Sequence, residues 1–159
     1  HLAQSMIESQ VESHLLDKRY LAVVDGQLKI SHGLIDLPIK RVLGQPKRII
    51  NNQGQAAQTE FWVQKSAVKQ TLVMVKLLTG RNHQIRVHFS HLGYPLTGDQ
   101  LYGGSQNLIQ RQALHAWQLI FTDPFSGKKI KLVAPLPLDL QQLLWQIFGS
   151  PNLQDDFSG

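Results

Sequence analysis

The sequence predicts an α+β domain whose mixed sheet is largely antiparallel and flanked by helices. Apolar residues recur at helical spacing near both ends of the chain, whereas alternating or β-branched runs bounded by turn residues fill much of the middle. A short turn joins two of these runs, and such strands pair antiparallel because a parallel crossover needs about a dozen residues or more. The 159 residues suffice for one domain with one core.

The first half of the chain starts with a helical pattern and continues with strand patterns around an irregular stretch. Leu2, Met6 and Val11 keep helical spacing, whereas Val23 and Val24 close a β-branched run before an Asp-Gly turn. The stretch that follows is rich in Gly and Pro and has few periodic apolar residues. The predicted elements are a helix over 1–16, a strand at Lys18–Val24, an irregular excursion over 31–58, and paired strands at Thr59–Lys65 and Gln70–Leu78.

The second half alternates helix and strand patterns. Ile85, Phe89 and Leu92 lie at positions i, i+4 and i+7, and Gly93 ends that pattern. Residues 149–159 have little to bury, so we expect a flexible tail there. The predicted elements are a helix over 82–92, strands at Leu114–Thr122 and Lys129–Val133, and a helix at Leu138–Phe148 with Trp145 packed inward.

Positive charge is concentrated in the middle of the chain. The formal net charge is +5, but residues 37–98 hold nine basic side chains and one acidic side chain, Glu60, for a net charge of +8. Such an asymmetry favours a phosphate-rich ligand, with RNA or DNA as the first candidates. A solvated basic face without a ligand is the alternative that charge alone leaves open.

Several function classes have no support in the sequence. The chain has no cysteine, which excludes disulfides and thiolate metal sites and fits a reducing, cytoplasmic location. No Gly-x-x-x-x-Gly-Lys phosphate loop and no Gly-x-Ser-x-Gly elbow occur. No apolar run approaches the roughly 20 residues that a membrane span needs.

The segment from Thr79 to His88 is the densest candidate for chemistry. It runs from a predicted strand through a Gly turn into a predicted helix, and a helix N-terminus attracts anions. Arg81 lies at the turn, and Arg86 lies between apolar Ile85 and Val87. An arginine so placed needs a negative partner. That partner is a catalytic carboxylate or a phosphate if Arg86 is functional, and an acidic side chain in a structural ion pair if it is not. A third alternative is that Arg86 is a surface side chain whose charge reaches solvent.

Four other side chains invite functional hypotheses. His83, His88 and His91 raise a metal site, but only His88 and His91 share a helical face and no nearby carboxylate completes a ligand set. We therefore predict no metal, and expect these histidines to bind backbone groups or RNA. Tyr20 lies on a predicted strand, where its ring can stack on a base or simply pack half-buried.

The motifs of this chain resemble those of the RluA-type ribosomal RNA pseudouridine synthases. Gly80–His88 is similar to the family's Gly-Arg-(Thr/Ser/Asn)-His-Gln-(Ile/Leu)-Arg-Val-His motif, and the other matches keep family order over about residues 1–148. Several motifs in register are more specific than any one alone. The further matching segments are Lys18–Val24, Ile35–Ile39, Gly93–Gly103, Arg111–Ala116 and Ala134–Pro137.

This resemblance implies a function and a set of site residues. The family isomerises uridine in RNA to pseudouridine without a cofactor or metal, on a long bent antiparallel sheet with the active cleft across its middle. Arg86 would pair with the nucleophilic Asp, and Tyr20 would pack on the target base and move a proton at its C5. Ile85 would line the base pocket, while Arg81 and His83 would shape the strand–helix corner or contact RNA.

One departure from the family pattern is that no Arg-Leu-Asp sequence occurs in the chain. The family's nucleophile lies in such a segment, before the helix that leads to the Lys-x-Tyr strand. We therefore expect residues 1–148 to be a partial catalytic domain that is inactive alone, with the missing amino-terminal part and ribosomal or transfer RNA as partners. Asp99 is no convincing substitute, and we expect it to cap its loop. The alternatives are a non-catalytic RNA-binding module and, less favoured, a metal-dependent nuclease.

Overall fold

A computed structural model of the chain describes residues 2–12 and 16–150. Its helices are α1 (Leu2–Glu12), α2 (Gln84–His91) and α3 (Leu138–Phe148), with a 3₁₀ turn at Gln100–Tyr102. Its strands are β1 (Asp17–Asp25), β2 (His32–Asp36), β3 (Ile39–Lys40), β4 (Ile49–Ile50), β5 (Gln58–Ser66), β6 (Gln70–Leu77), β7 (Leu114–Thr122) and β8 (Lys129–Val133).

Six strands form the central sheet in the order β2-β5-β6-β1-β7-β8, and every neighbouring pair is antiparallel. This confirms the predicted α+β class with a largely antiparallel sheet. Strands β3 and β4 form a separate two-stranded ribbon. The register of β1 on β7 shifts between Arg19 and Tyr20, where Trp117 is the extra residue on β7. Such bulges change the direction of neighbouring side chains and often lie next to active sites.

The sheet is covered on both faces because β1 alternates between two cores. Leu21 and Val23 pack with the buried face of α3, whereas Ala22 and Val24 pack with α2 residues such as Phe89. A strand buried on both faces needs apolar residues at successive positions, which explains the continuous run Leu21–Val24 in the second half of β1. Residues on β1 therefore have little freedom to move relative to the sheet.

Most predicted elements are confirmed, and the bounds of β7, β8 and α3 agree with the prediction to the residue. The prediction of an irregular excursion over 31–58 is wrong in part, since it contains β2, β3 and β4. Strand β2 has a weak local signal, because it is an edge strand with two exposed ends and contains Gly33. The predicted helix over 1–16 is observed as α1 over Leu2–Glu12, and residue 16 lies in a bend outside it. Residues 1 and 13–15 lie outside the described residues, as does the predicted tail from 151 onward.

The prediction that Trp145 packs inward is wrong. Its side chain is 57% exposed, and α3 buries Leu140, Leu143 and Leu144 instead. Positions 140, 143 and 144 share one helical face, so the spacing of the leucines decides which face is covered. The size of the Trp145 indole does not decide which face is covered.

Candidate active site

The five residues predicted for the site line one cavity. This cavity has a volume of about 240 Å³ and lies between the start of β1, the end of β6 and the corner that leads into α2. It is open enough to admit a flat ring but smaller than the pockets of roughly 300–1,000 Å³ that hold drug-sized ligands. The predicted residues that line it are Tyr20, Arg81, His83, Ile85 and Arg86.

Gln84 fixes the strand–helix corner from inside. Its side chain is buried, and its carbonyl oxygen accepts hydrogen bonds from the Thr79 hydroxyl at 2.8 Å and the Arg81 backbone N–H at 2.9 Å. Its amide nitrogen donates to the Gln58 carbonyl and the Thr59 hydroxyl, both at 2.9 Å. One side chain thus ties the end of β6, the turn and strand β5 together, and its polar atoms are satisfied.

His83 occupies the position just before α2 with a left-handed backbone, at φ +58°. It is the single non-glycine residue with positive φ in the part of the chain that the structure describes. Such a conformation costs free energy and often occurs at functional sites. The ring Nδ1 lies 2.8 Å from the Tyr102 hydroxyl. Burial, and then the positive charges of Arg86 and Arg48, lower the His83 pKa, so the imidazole is neutral at pH 7.

Arg86 forms a two-point ion pair with Asp99. The Arg86 Nε lies 2.8 Å from Asp99 Oδ2 and the Nη2 lies 2.9 Å from Oδ1. The Asp99 side chain has no exposed surface and that of Arg86 is 15% exposed. The guanidinium also lies over the Tyr102 ring, 5.0 Å from its centre. The hydrogen bond to Asp99 raises the Arg86 pKa, so the charge is permanent.

This pair decides between alternatives that the sequence left open. Arg86 does not extend into solvent, and its partner within the chain is a carboxylate. The prediction that Asp99 caps its loop is wrong, because its side chain makes no capping hydrogen bond at the 3₁₀ turn. The role of Arg86 toward a nucleophile outside this chain stays a prediction.

Tyr20 and Ile85 provide the apolar part of the cavity. Tyr20 is half-buried beside Leu77 and Leu114. On β1 it is the first residue after the register shift that the β7 bulge causes. Burial raises its pKa, so the phenol keeps its proton at neutral pH. Ile85 is 4% exposed and belongs mainly to the core between α2 and the sheet. The cavity therefore reaches only the edge of Ile85.

The basic segment before β4 reaches the same place, which the sequence did not predict. The Arg48 backbone N–H donates to the Tyr102 hydroxyl at 2.9 Å, and the Lys47 Nζ lies 5.7 Å from the centre of the Tyr102 ring. Arg81 donates from Nε to the Ala56 carbonyl at 2.9 Å. Tyr102 thus joins the basic segment to His83 and Arg86. The only signal for this in the sequence was the place of Tyr102 in the Gly93–Gly103 motif.

The histidines of the metal hypothesis do not converge. His88 is fully buried, with Nδ1 2.8 Å from the Thr59 hydroxyl and Nε2 2.9 Å from the Leu37 carbonyl. Both of its nitrogens are therefore engaged, which gives it a structural role. Among residues 2–12 and 16–150, no three His, Cys, Asp or Glu side chains lie where they could hold a metal ion together.

Comparison with known proteins assigns the chain and its fold to a family. The sequence profile of the RNA pseudouridylate synthases matches residues 2–91, more than half of the chain. The chain belongs to this family. The relatives include enzymes named ribosomal large subunit pseudouridine synthase D, which supports the RluA type.

Two relatives show the extent of the similarity. The chain is 42% identical over 151 residues to YhcT, an uncharacterised RNA pseudouridine synthase of Bacillus subtilis. The alignment covers 93% of this chain and 50% of that protein. The chain is 36% identical over 160 residues to the ribosomal large subunit pseudouridine synthase D of Nitrosomonas europaea. That alignment covers 94% of this chain and 46% of that enzyme. The chain spans about half the length of the curated relatives it matches.

Solved structures agree with this assignment. The human RNA pseudouridylate synthase domain containing 1 superposes with a TM-score of 0.70 at 29% identity, over 86% of this chain and 60% of that one. The human RNA pseudouridylate synthase domain containing 4 shares the fold, with a TM-score of 0.72 at 23% identity, over 88% of this chain and 65% of that one.

No helix in the described ranges has both the length and the apolar character to cross a membrane.

Proposed function

We propose that the complete protein isomerises uridine to pseudouridine in RNA, and that this chain carries the Tyr20 and Arg86 side of its active site. The observation that carries the proposal is the cavity of about 240 Å³, which the Tyr20 side chain on β1 and the charged Arg86 side chain on α2 both line. Ribosomal RNA is the first candidate substrate, since relatives are named ribosomal large subunit pseudouridine synthases. Transfer RNA is the second, and the cytoplasm is the proposed location.

The reaction is an isomerisation, so its atoms and electrons balance without a co-reactant. The bond between the ribose C1′ and the uracil N1 breaks, the base turns, and a bond between C1′ and C5 forms. C5 then loses its proton, and N1 gains one. A cavity of this size fits a single base taken out of its stack. We propose that the Tyr20 ring packs against that base. Its hydroxyl, which is protonated at neutral pH, would first donate a hydrogen bond to the base and then exchange a proton with the base at C5.

The surrounding charges suit an RNA substrate. Arg81 and Arg86 line the cavity, and Lys47 and Arg48 lie next to it around Tyr102. We propose that Lys47, Arg48 and Arg81 bind phosphates that flank the target nucleotide. Such contacts would orient the RNA without reading its sequence. Shape and loops would then select the uridine.

We further propose that the isolated chain does not form pseudouridine, because it contains no Arg-Leu-Asp segment. The nucleophile would come from an amino-terminal part of the same domain. The test is tritium release from ribosomal RNA transcripts that carry 5-tritiated uridine. We expect release by the complete gene product and none by residues 1–159. Release by residues 1–159 alone would overturn the expectation of inactivity.

A non-catalytic RNA-binding module is the second candidate, favoured by the convergence of Lys47, Arg48 and Arg81 near one cavity. The same assay separates the two functions. If the complete gene product binds the transcripts but releases no tritium from any of them, the binding module replaces the enzyme. A salt titration of RNA affinity would not distinguish them, because both functions need phosphate contacts.

A further inference from the structure

We propose that Asp99 is a positioning residue that, with Tyr102, holds Arg86 so that the outer end of its guanidinium faces the substrate cavity. This inference rests on the proposed function, because it concerns how Arg86 acts in that reaction. Asp99 and Tyr102 do not line the cavity, whereas Arg86 does. They therefore support the guanidinium from behind and do not contact the substrate.

The hydrogen bonds of Arg86 leave a defined set of donors free. A guanidinium has five N–H groups. Asp99 takes the one on Nε and one of the two on Nη2. Nη1 has no hydrogen-bond partner in the part of the chain that the structure describes. Three donors on the outer end, shared by Nη1 and Nη2, thus remain for a second carboxylate or a phosphate.

The loop that carries Asp99 is built to hold it in place. Gly104 donates its backbone N–H to the Asp99 carbonyl at 2.7 Å, and Gly98 donates to the Ser105 carbonyl at 2.7 Å. A Cβ atom on Gly98 would meet the Arg111 carbonyl oxygen at 2.0 Å, so this turn closes only with glycine. The loop and α2 are also joined directly, since the Ser90 hydroxyl donates to the Tyr102 carbonyl at 2.8 Å. Arg86 and its two supports therefore form one unit.

The charges explain why orientation, more than net charge, is what Arg86 contributes. Asp99 already neutralises one positive charge, so a second carboxylate at the outer end would leave the group negative. Lys47, Arg48 and Arg81 lie near enough to offset that charge. A lysine at position 86 would pair with Asp99 and present no planar fork to the cavity. Arg86 is thus held by one acid and offers its outer end to a second acid or a phosphate.

The decisive experiment is chemical rescue in the complete gene product. Asp99→Asn should lower kcat by about 100-fold, the cost of a misplaced reacting group, with the KM for RNA changed less than about twofold. Arg86→Ala should lose activity, and added guanidinium ion should restore part of it while Asp99 is present. The double variant Arg86→Ala/Asp99→Asn should not respond to guanidinium. The matched control is Asp139→Asn, which breaks an exposed pair of the same geometry outside the cavity and should leave kcat unchanged.

The outcomes separate this inference from the proposed function. If the unaltered gene product forms no pseudouridine, the proposed function fails. If it does, and Asp99→Asn keeps its kcat or guanidinium rescues both Arg86→Ala variants equally, the positioning role is wrong. If Asp99→Asn does not fold, Tyr102→Leu takes its place, because it removes the ring below Arg86 and keeps the ion pair. It should lower kcat about threefold to fivefold, and an unchanged kcat would contradict the inference.

Discussion

Two arginine–aspartate pairs in this molecule have the same geometry and opposite surroundings. Arg86 binds Asp99 through Nε and Nη2 at 2.8 and 2.9 Å, and Arg111 binds Asp139 through the same atoms at 2.7 and 2.9 Å. The side chains of the first pair are 15% and 0% exposed, and those of the second are 41% and 45% exposed. The hydrogen bonds within the two pairs are alike, so burial is the main difference between them, beside the Tyr102 ring under Arg86.

Burial changes the role of the pair. At the surface, water screens the attraction and each partner is well solvated without the other, so the net contribution to stability is small. In the interior, either partner left alone is a buried charge without compensation. We therefore expect folding to need the Arg86–Asp99 pair. We do not expect it to need the Arg111–Asp139 pair, which connects Arg111 to α3.

The largest expected effect comes from removing each aspartate. Asp99→Ala should destabilise the chain by about 3–5 kcal/mol, because Arg86 stays buried without its partner. Asp139→Ala should cost only about 0–1 kcal/mol. Urea unfolding of residues 1–159 measures both. Equal losses for the two variants would mean that burial does not distinguish the pairs.

A smaller effect on stability should come from the protonation of His83 as the pH falls. Its pKa is lowered by burial and by Arg86 and Arg48, so the unfolded chain binds this proton more tightly than the folded chain. The stability from neutral His83 is complete above the unfolded pKa of about 6.5 and is lost as pH falls below it.

His83→Asn should therefore weaken the fall of stability with pH below about 6.5. Urea melts at a series of pH values would show a shallower slope for the variant. His91→Asn is the matched control. A slope that is unchanged in His83→Asn would contradict the assignment of this proton to His83.

The smallest expected effect is the response to salt. High salt should reduce the cost of Asp139→Ala by a few tenths of a kcal/mol, because solvent ions screen an exposed pair. The cost of Asp99→Ala should change less, since no solvent reaches Asp99. The measurement is the difference in urea midpoint between each variant and the unaltered chain at low and at 1 M salt. A stronger salt response for Asp99→Ala would reverse the comparison.

The sequence predicted those elements whose ends carry strong local signals. The bounds of α3 follow from Pro137 before it and Gly149 after it, and those of β7 and β8 from the turn around Pro124 and Gly127. Strand β2 carries no such signal, because its pairing with β5 supplies the order that its own residues do not. The left-handed backbone of His83 was also not predictable, since glycine is the usual residue there.

The site was predictable where one motif contains it, and not where the fold assembles it. Arg81, His83, Ile85 and Arg86 lie within six successive positions, and the resemblance added Tyr20. The contact between Arg86 and Asp99 spans 13 residues and that between Arg48 and Tyr102 spans 54, so no periodicity reveals them. Electrostatic necessity predicted only that Arg86 needs an anion.

The position of Tyr20 on β1 has a consequence for the proposed RNA substrate. Strand β1 is hydrogen-bonded along both edges and covered on both faces, so the phenol side of the cleft is a stationary wall. The opposite side is held as well, because Gln84 ties the strand–helix corner to β5 and Asp99 holds Arg86. In the proposed reaction the nucleotide must therefore come to Tyr20, since neither wall of the cleft has room to move toward it.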